Sequence, residues 1–405
     1  MRVMISADAH LYRTVDNKIW AKTIYGYDFW KRYLNVFEEV IVVARIKNVD
    51  YYEVKGYLLS SGEGVTFRKM PMVRGTVNKW EYLIRFPEII IRSKQMVKQV
   101  DCAIFRMPAI IAFILCSCYQ KTGKPYAVEV VINPKKMITD SYIYKTIMIN
   151  GLRNAIAKAN GVSYVTEYCI QKDFPSYDMK NGSDDKHFST FYTSADININ
   201  PLMIRRNYSN HGRKWKIIHV ANHMNTPNDV KGHATTIEIG SELIKRGYDI
   251  EIIFVGDGIY RNRYESMSKE YGISDRVIFL GYISSKDDLN KLLVESDIFI
   301  LPTKSDGLPR VLIEAMATGL PCLASNVGGI PELLDEDDTF EANDISGFVN
   351  RLSFMMDNPS VLNNIANDNY EKSKNYCYAE VTKKRINFYR RLRECVSREG
   401  KCHIS

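Results

Sequence analysis

The chain has 405 residues, of which 45% are hydrophobic and 25% charged, and its formal net charge is +8 at pH 7. This composition is typical of a globular protein and excludes a disordered or fibrous chain, while the length predicts two domains. The longest apolar run, Ala109 to Cys118, is much shorter than the roughly 20 residues of a membrane-spanning helix.

The eight cysteines include no C-x-x-C pair, so they indicate neither a zinc framework nor a disulfide scaffold. Cys116 and Cys118 alternate within an apolar stretch and are predicted to be small core residues. The N-terminus has no apolar segment before Asp8, which predicts that there is no cleaved signal peptide. Together these features favour a reducing cytoplasm.

Short apolar strands alternate with amphipathic helices along the first half, the pattern of an α/β protein with parallel sheets. A helix is predicted over Lys145–Ala159, and a weakly patterned stretch from about Asn198 to Lys214 is predicted to be an interdomain linker. The predicted strands are Arg2–Ser6, Glu39–Val43, Cys102–Arg106, Ala127–Val131 and Val162–Thr166.

The second half repeats the scheme, with helices predicted over Ala234–Arg246 and from about Pro309 to Thr318. Two doubly wound domains would place a cleft between their strand carboxyl ends, where α/β sheets bind ligands. The predicted strands are Lys216–Ala221, Glu251–Val255, Val277–Leu280, Asp297–Leu301 and Pro321–Ser325.

The excess of positive charge lies in the first half, because residues 1–205 have a formal net charge of +10 and residues 206–405 have a formal net charge of −2. Segment 66–100 is the richest part, and aromatic and aliphatic residues are interleaved with its bases. This mixture suits an anionic membrane surface, although a solvated basic face is an equal alternative. Nucleic acid is not expected as a partner, because no binding motif accompanies the charge. The bases are Arg68, Lys69, Arg74, Lys79, Arg85, Arg92, Lys94 and Lys98.

The strongest site signal lies at residues 302–332, where a strand, a loop, a helix and a second strand follow one another. Pro309 favours a helix start and Gly319 a helix end, so the backbone N–H groups around Gly307 and Leu308 are expected to point at an anion. A buried Glu314 would be costly unless paired, and two vicinal hydroxyls would satisfy it. Alternatively, Asp306 is a simple helix cap and Glu314 is half exposed.

This stretch resembles the donor-site motif of retaining family 4 glycosyltransferases of the GT-B fold, Glu-x7-Glu followed by Ala-Met-Ala-x-Gly-x-Pro. Here it reads Asp306-x7-Glu314 followed by residues 315–321. The resemblance continues at Gly328-Gly329-Ile330-Pro331-Glu332 and upstream at Val255-Gly256-Asp257-Gly258 and Phe279-Leu280-Gly281-Tyr282. It implies two doubly wound Rossmann-like domains facing across a cleft: an acceptor-side domain over 1–205, a donor-binding domain over 206–375, and a terminal helix over 376–405 that crosses back.

The resemblance also implies residue roles. Glu314 would bind the ribose hydroxyls of a nucleotide, and Asp306 would lie near the donor sugar and the reacting centre. Lys231 would neutralise the diphosphate, while the position of the family's accompanying arginine holds Asn222. Further donor contacts are expected from Gly256, Tyr282, Gly307, Leu308 and Arg310.

The implied reaction breaks the C1–O bond of a nucleotide sugar while negative charge grows on the diphosphate. Lys231 and the helix start at Gly307–Leu308 would stabilise that charge. No Asp-x-Asp metal motif is expected to serve this role, because the Asp-Asp pairs lie in polar loop contexts, so neither a metal nor another cofactor is expected. The pairs are Asp184-Asp185, Asp287-Asp288 and Asp337-Asp338. The histidines around Lys231 share no helix. Retention of configuration follows from the resemblance alone.

Candidates for the acceptor side are fewer and weaker. His10, Arg106, Glu129 and Asn133 are expected at the carboxyl ends of strands, where an acceptor could meet the cleft. A lone histidine after a strand is also typical of a loop or cap, and Glu129 could equally pair with a nearby base. For that pairing the bases are Lys124, Lys135 and Lys136.

Three functions remain open. The first is a hexosyltransferase that uses a nucleotide sugar and a lipid-linked or polysaccharide acceptor, in capsule or lipopolysaccharide synthesis at the inner face of the cell membrane. The second is a nucleotide-sugar epimerase on the same fold. The third is a non-catalytic nucleotide-sugar-binding or scaffold subunit, which the replacements Asn222 and Asp306 favour.

Overall fold

The computed structural model describes residues 1–71, 79–139, 141–182, 184–193, 206–208, 214–221, 224–225 and 228–402. The chain divides into two compact units. Unit 1 comprises Met1–Lys135, Thr139–Tyr192 and Thr382–Ser405, and unit 2 comprises Lys136–Ile138 and Thr193–Val381. The last part of the chain therefore belongs to the unit that also contains its beginning. Asn222 and most of the predicted linker lie outside the described residues.

Unit 1 is built on a sheet of nine strands among the described residues. Its central strands are continuous apolar runs, as parallel strands covered on both faces require; all six residues of Cys102–Met107 are buried. The strands are β1 (Arg2–Arg13), β2 (Ile19–Ala21), β3 (Glu39–Asn48), β4 (Leu58–Leu59), β5 (Val65–Met70), β6 (Cys102–Met107), β7 (Tyr126–Val130), β8 (Gly161–Tyr164) and β9 (Phe188–Phe191).

The parallel part of this sheet has the order β5-β3-β1-β6-β7-β8-β9. Strand β1 is longer than the five residues predicted, because after an irregularity between Ser6 and His10 it continues alongside β3 and also pairs with the antiparallel β2. The order reverses between β1 and β6, which is the position where doubly wound sheets bind ligands.

Helices cover both faces of this sheet, since right-handed crossovers in opposite directions lie on opposite faces. Helices α2, α3 and α4 pack side by side on one face. Helix α1 packs on the other face against the middle of the last helix, where Tyr33 stacks on Tyr389 at 4.8 Å between ring centroids. The helices up to this point of the chain are α1 (Tyr27–Leu34), α2 (Lys79–Met96), α3 (Ile110–Gln120), α4 (Tyr142–Ala157), α5 (Cys169–Asp173) and α6 (Tyr177–Asn181).

Unit 2 contains a sheet of six parallel strands within the described ranges. Its order is β12-β11-β10-β13-β14-β15, so the chain first winds to one side of β10 and then crosses to the other. The strands are β10 (Trp215–Val220), β11 (Ile250–Val255), β12 (Val277–Gly281), β13 (Ile298–Leu301), β14 (Cys322–Ser325) and β15 (Thr339–Phe340).

The core of unit 2 lies between this sheet and the helices that cover it. Ile217, Phe254 and Ile298 from the strands pack with Ile237 and Phe348 from the helices, and all five side chains are buried. The helices are α7 (His233–Lys245), α8 (Arg261–Glu270), α9 (Lys286–Glu295), α10 (Arg310–Ala317), α11 (Ile345–Asp357), α12 (Pro359–Ser373) and α13 (Tyr378–Cys402). From Thr382 onward, α13 belongs to unit 1.

The fold confirms the predicted α/β class with parallel sheets, and Cys116 and Cys118 are buried as predicted. The sequence missed α2, because Pro87 stands inside it and proline normally ends a helix. It also missed β5, which lies in the basic segment. No described helix is long and apolar enough to span a membrane.

Candidate functional site

The candidate site lies at the reversal of strand order in unit 2. Strands β10 and β13 are adjacent and parallel, although the chain reaches β13 only after β11 and β12. The loops that leave their carboxyl ends therefore meet at the edge of the sheet where α/β proteins bind ligands. The loop after β10 carries Lys231, and the loop after β13 carries Asp306.

The turn that presents Lys231 is held by unusual backbone conformations. Asp229 has φ +47° and Gly232 has φ +80°. A Cβ at Gly232 would lie 2.2 Å from the carbonyl oxygen of Pro302, so only glycine allows the two loops to approach this closely. The carbonyl of Val230 accepts hydrogen bonds from Lys304 N at 2.8 Å and Thr303 Oγ1 at 3.0 Å.

The carboxylate of Asp229 anchors the same turn from within the protein. It is buried and accepts hydrogen bonds from the backbone N–H of Ala234 at 3.1 Å and from the Tyr264 hydroxyl at 2.9 Å. Its left-handed backbone is costly for a residue with a side chain, and these two bonds offset that cost. The His233 ring stacks on Tyr264 at 4.9 Å and closes the space behind the turn.

Lys231 and Asp306 form an ion pair across the two loops. Lys231 Nζ lies 2.6 Å from Asp306 Oδ2 and 3.3 Å from the carbonyl oxygen of Ser305. The other carboxylate oxygen of Asp306 accepts a hydrogen bond from Gly307 N at 2.9 Å. The Asp306 carboxylate thus already binds the Lys231 ammonium and the N–H of Gly307, two of the groups that were predicted to face an anion.

The loop that carries Asp306 rests on a pair of glycines after β14. Gly328 has φ +60°, and a Cβ there would lie 2.0 Å from the carbonyl oxygen of Asp306. Gly329 N donates to the carbonyl oxygen of Gly307 at 2.5 Å. This contact explains the Gly328-Gly329 motif, since a side chain at Gly328 would push the Asp306 loop away from Lys231.

Glu314 lies on α10, which begins after Pro309 and is followed by Gly319 at φ +64°, as predicted. The side chain is half-buried, and among the described residues none donates a hydrogen bond to its carboxylate. Burial raises the pKa of Glu314, an effect that Arg310 and Lys286 partly offset. The site therefore contains a carboxylate that is partly removed from water and has no fixed hydrogen-bond donor among the described residues.

The other predicted donor contacts occupy varied positions. Gly256 follows β11, and its N–H donates to the carbonyl oxygen of Gly281 at 2.9 Å, which ties the loops after β11 and β12 together. Tyr282, directly after that bridge, is exposed. Arg310 is the exposed first residue of α10, and Leu308 is buried.

Two histidines lie behind the Lys231 turn rather than in the site. His219 and His233 are fully buried with ring centroids 4.6 Å apart. Burial holds the pKa of each ring below its ordinary value, so both are neutral. His219 Nδ1 lies 3.1 Å from the carbonyl oxygen of Ile300. In the described part of the chain no three His, Cys, Asp or Glu side chains gather as metal ligands.

In unit 1, Arg106 and Glu129 are buried and paired with each other, which corrects the expectation that they face an acceptor. The partner of Glu129 is Arg106 and not a nearby lysine. Three hydroxyls also donate to its carboxylate, namely those of Tyr389 at 2.8 Å, Tyr192 at 3.0 Å and Tyr33 at 3.2 Å. This cluster joins distant parts of the chain and has a structural role.

The two remaining acceptor-side candidates differ from each other. Asn133 is buried; its amide donates to Asp173 at 2.8 Å and its oxygen accepts from Lys135 N at 2.9 Å, so it stabilises a turn. His10 is exposed and lies within β1 opposite Arg45, not after the strand as predicted. Of the four candidates, only His10 presents an exposed side chain.

Sequence reasoning missed the residues that position Lys231. Asp229, Thr303 and Tyr264 come from three separate segments, and only their contacts in the fold connect them with that lysine. The sequence did contain one signal, because an Asn-Asp pair shortly before Lys231-Gly232 is typical of a turn.

The chain is similar in sequence to known glycosyltransferases and to a protein named CapJ. Residues 206–372 match the family model described as Glycosyl transferases group 1. Protein CapJ of Staphylococcus aureus is 29% identical over 330 residues, which cover 79% of this chain and 78% of that protein. The UDP-Gal:alpha-D-GlcNAc-diphosphoundecaprenol alpha-1,3-galactosyltransferase of Escherichia coli is 31% identical over 194 residues, or 46% of each chain.

The fold is also similar to that of solved structures. Anabaena HepE in complex with UDP and glucose matches with a TM-score of 0.61 at 14% identity, over 98% of this chain and 99% of that one. At this identity the likeness shows the fold alone, which is the GT-B fold predicted from the sequence.

Proposed function

We propose that the chain is a retaining hexosyltransferase, because its residues 206–372 match the family model of the glycosyl transferases group 1. Its donor is a nucleoside diphosphate sugar, and its acceptor is lipid-linked or a growing polysaccharide. The reaction needs no metal ion or other cofactor. The enzyme works in bacterial capsule or lipopolysaccharide synthesis, in the cytoplasm at the inner face of the membrane.

The observation that carries this proposal is the state of Glu314. A carboxylate withdrawn from water is costly unless hydrogen-bond donors compensate it, and within the described chain Glu314 has none. Two vicinal ribose hydroxyls of a nucleotide supply such donors in one ligand. Glu314 therefore binds the ribose of the donor.

Lys231 and the start of α10 act on the leaving group. When the C1–O bond breaks through an oxocarbenium-like state, negative charge develops on the diphosphate. The ammonium of Lys231, on the turn that Asp229 anchors, stabilises that charge. Asp306 lies beside Lys231 and takes the position next to the donor sugar.

The names of similar proteins support the choice of donor and acceptor. The Escherichia coli relative is named for UDP-Gal and for a diphosphoundecaprenol acceptor, and the HepE structure contains UDP and glucose. Uridine diphosphate is therefore the first nucleotide to test, with a polyprenyl diphosphate sugar as the first acceptor.

Thermal unfolding with a panel of nucleoside diphosphates tests the donor site. A ligand at about 100 times its Kd adds about 2.7 kcal/mol to the free energy of unfolding. We expect a shift with one nucleotide that Lys231→Ala and Glu314→Ala both abolish. The matched controls Lys291→Ala and Glu295→Ala change exposed residues of α9 and should leave the shift intact.

The nucleotide-binding result decides whether the proposed function holds. A folded protein that shifts with no nucleotide contradicts the proposal. A shift followed by transfer supports the proposed donor and acceptor. A product of unchanged anomeric configuration by NMR supports retention, and an undiminished rate in a chelator supports a reaction without a metal ion.

A second candidate is a non-catalytic nucleotide-sugar-binding subunit. It is favoured by the Lys231–Asp306 pair, in which the cation needed by the leaving group is already neutralised. If the protein binds a nucleotide but transfers no sugar to any acceptor tested, that result would favour this candidate over the transferase.

A further inference from the structure

One helical face of unit 1 combines exposed bulky apolar side chains with an excess of bases. Helices α2 and α4 flank α3, and each packs against it. Helix α3 is apolar and largely buried, so α2 and α4 provide most of the outward surface. The packing is close, since a Cβ at Gly151 on α4 would lie 2.7 Å from the Phe113 ring on α3.

Helix α2 directs large apolar side chains into solvent. Ile84 is 78% exposed and Ile91 is 57% exposed. They are seven residues apart, which places them on the same side of a helix, two turns from each other. Lys94 and Lys98 continue this side toward the end of the helix and beyond it, and both are exposed.

Helix α4 repeats this arrangement at its first turns. Tyr142 is 83% exposed and Ile143 is 68% exposed, and Ile147 follows one turn later on the same side. Several exposed bulky apolar side chains on one helical layer indicate a binding surface.

The charge of the three helices is strongly one-sided. Their sequences contain six basic residues and two acidic ones, and α4 contains no acid at all. One of the two acids, Glu88, is already paired with Arg92 at 2.8 Å. The basic residues are Lys79, Arg85, Arg92, Lys94, Lys145 and Arg153.

The exposed apolar residues lie toward one end of the layer. Helices α2 and α4 both run back from the carboxyl edge of the sheet, because they lead into β6 and β8. Ile84, Tyr142, Ile143 and Ile147 lie in the first half of their helices and therefore near that edge. This is the edge at which α/β sheets bind ligands.

We propose that this face, formed by α2 and α4, docks onto an anionic lipid surface. The apolar side chains enter the interface between headgroups and acyl chains, and the lysines and arginines contact lipid phosphates. Charge complementarity favours lipid over a protein partner, because the cores of protein interfaces are depleted in lysine. The inference rests on the proposed function in one respect: a lipid-linked acceptor gives the protein a reason to dock at a membrane.

Flotation of the full chain with vesicles tests this directly. We expect binding to phosphatidylcholine vesicles containing about 30% phosphatidylglycerol, little binding to pure phosphatidylcholine, and weaker binding at high salt. Because each base near the headgroups contributes about a fivefold factor in partitioning, Lys94→Glu with Lys98→Glu should weaken binding at least tenfold. Tyr142→Ser with Ile143→Ser should produce a loss of at least similar size.

Matched variants in unit 2 control for charge and hydrophobicity. Lys269→Glu with Lys291→Glu makes the same charge change at exposed positions of α8 and α9, and Ile259→Ser removes an isoleucine that is also 78% exposed. Both should bind vesicles like the unchanged protein. All substituted side chains are exposed, and equal melting temperatures will show that every variant is folded.

The inference is overturned if anionic vesicles do not bind the protein, or if the control variants lose as much binding as the α2 and α4 variants. It is also overturned if the unchanged protein is a stable dimer that Tyr142→Ser with Ile143→Ser makes monomeric. The nucleotide shift is read separately on the same variants, so a failed docking surface and a failed donor site are distinguishable.

Discussion

At the scale of single residues, the contact between Asp306 and Lys231 has a direct consequence for nucleotide affinity. The carboxylate at 2.6 Å competes with a diphosphate for the same ammonium. Asp306→Asn keeps the shape but removes the charge, so we expect the Kd for uridine diphosphate to fall about fivefold, by about 1 kcal/mol, while sugar transfer slows.

Isothermal titration measures this change, and Asp306→Glu is the control because it keeps a carboxylate within reach of Lys231. The prediction fails if Asp306→Asn weakens nucleotide binding, because Asp306 would then be orienting Lys231 for the ligand instead of competing with it.

Glu314 makes a second residue-scale prediction, which concerns pH. Burial raises the pKa of this carboxyl in the folded chain, so its contribution to the free energy of unfolding falls as pH rises through the folded pKa. Glu314→Gln removes that cost. We expect the variant to melt at a higher temperature than the unchanged protein at about pH 7.5 and the difference to shrink toward about pH 5.

The same variant should bind nucleotide ten- to a hundredfold more weakly, since hydrogen bonds to a charged acceptor contribute roughly 1.5–3 kcal/mol. Calorimetry across the pH range, with Glu295→Gln as the control on exposed α9, measures both effects. A melting difference that does not change with pH would contradict the assigned role of burial.

At the scale of elements, the glycine loop after β14 sets the position of the Asp306 loop. Gly328→Ala combines a positive φ with a Cβ placed 2.0 Å from a carbonyl oxygen, whereas Gly272 has φ +69° and open space around its Cβ position. Gly272→Ala should therefore lower the free energy of unfolding by about 1–2 kcal/mol. Gly328→Ala should lower it by roughly 3 kcal/mol or more and should also weaken nucleotide binding.

Urea unfolding of the two variants separates the conformational cost from the steric one. Equal losses of stability, or full nucleotide affinity in Gly328→Ala, would show that the loop tolerates the added carbon.

At the scale of the whole molecule, the last helix completes unit 1 through the buried Glu129 cluster. Burial alone would raise the pKa of Glu129, but Arg106 and Arg32, together with tyrosine hydroxyls, outweigh it and hold the pKa below its ordinary value. The stabilisation is therefore present above the unfolded-state pKa and lost as pH falls through the folded one.

Removing one partner of this buried pair leaves an uncompensated charge. We expect Arg106→Met to cost about 3–5 kcal/mol and Tyr389→Phe about 1–2 kcal/mol, both measured by urea unfolding. Tyr378→Phe, at an exposed tyrosine of the same helix, is the control. Loss of acceptor affinity in Arg106→Met without loss of stability would restore the acceptor role predicted from the sequence.

The sequence by itself determined the strands β10 to β14 and the helices α7 and α10 of unit 2, and it predicted the main site residues. Continuous apolar runs marked β11 and β13, and Pro309 and Gly319 marked the ends of α10, because these signals act within a few residues. Lys231 and Glu314 were predicted as site residues because the sequence around each resembles a motif of a known family.

Only the tertiary structure decided which groups meet. Lys231 and Asp306 are 75 positions apart, and Glu129 receives hydrogen bonds from residues as distant as Tyr33 and Tyr389. Burial is likewise a property of the packed chain: it places Arg106 inside unit 1 and leaves Tyr142 in solvent. Local patterns describe one element at a time, whereas pairing, pKa and exposure depend on what the other elements bring to the same place.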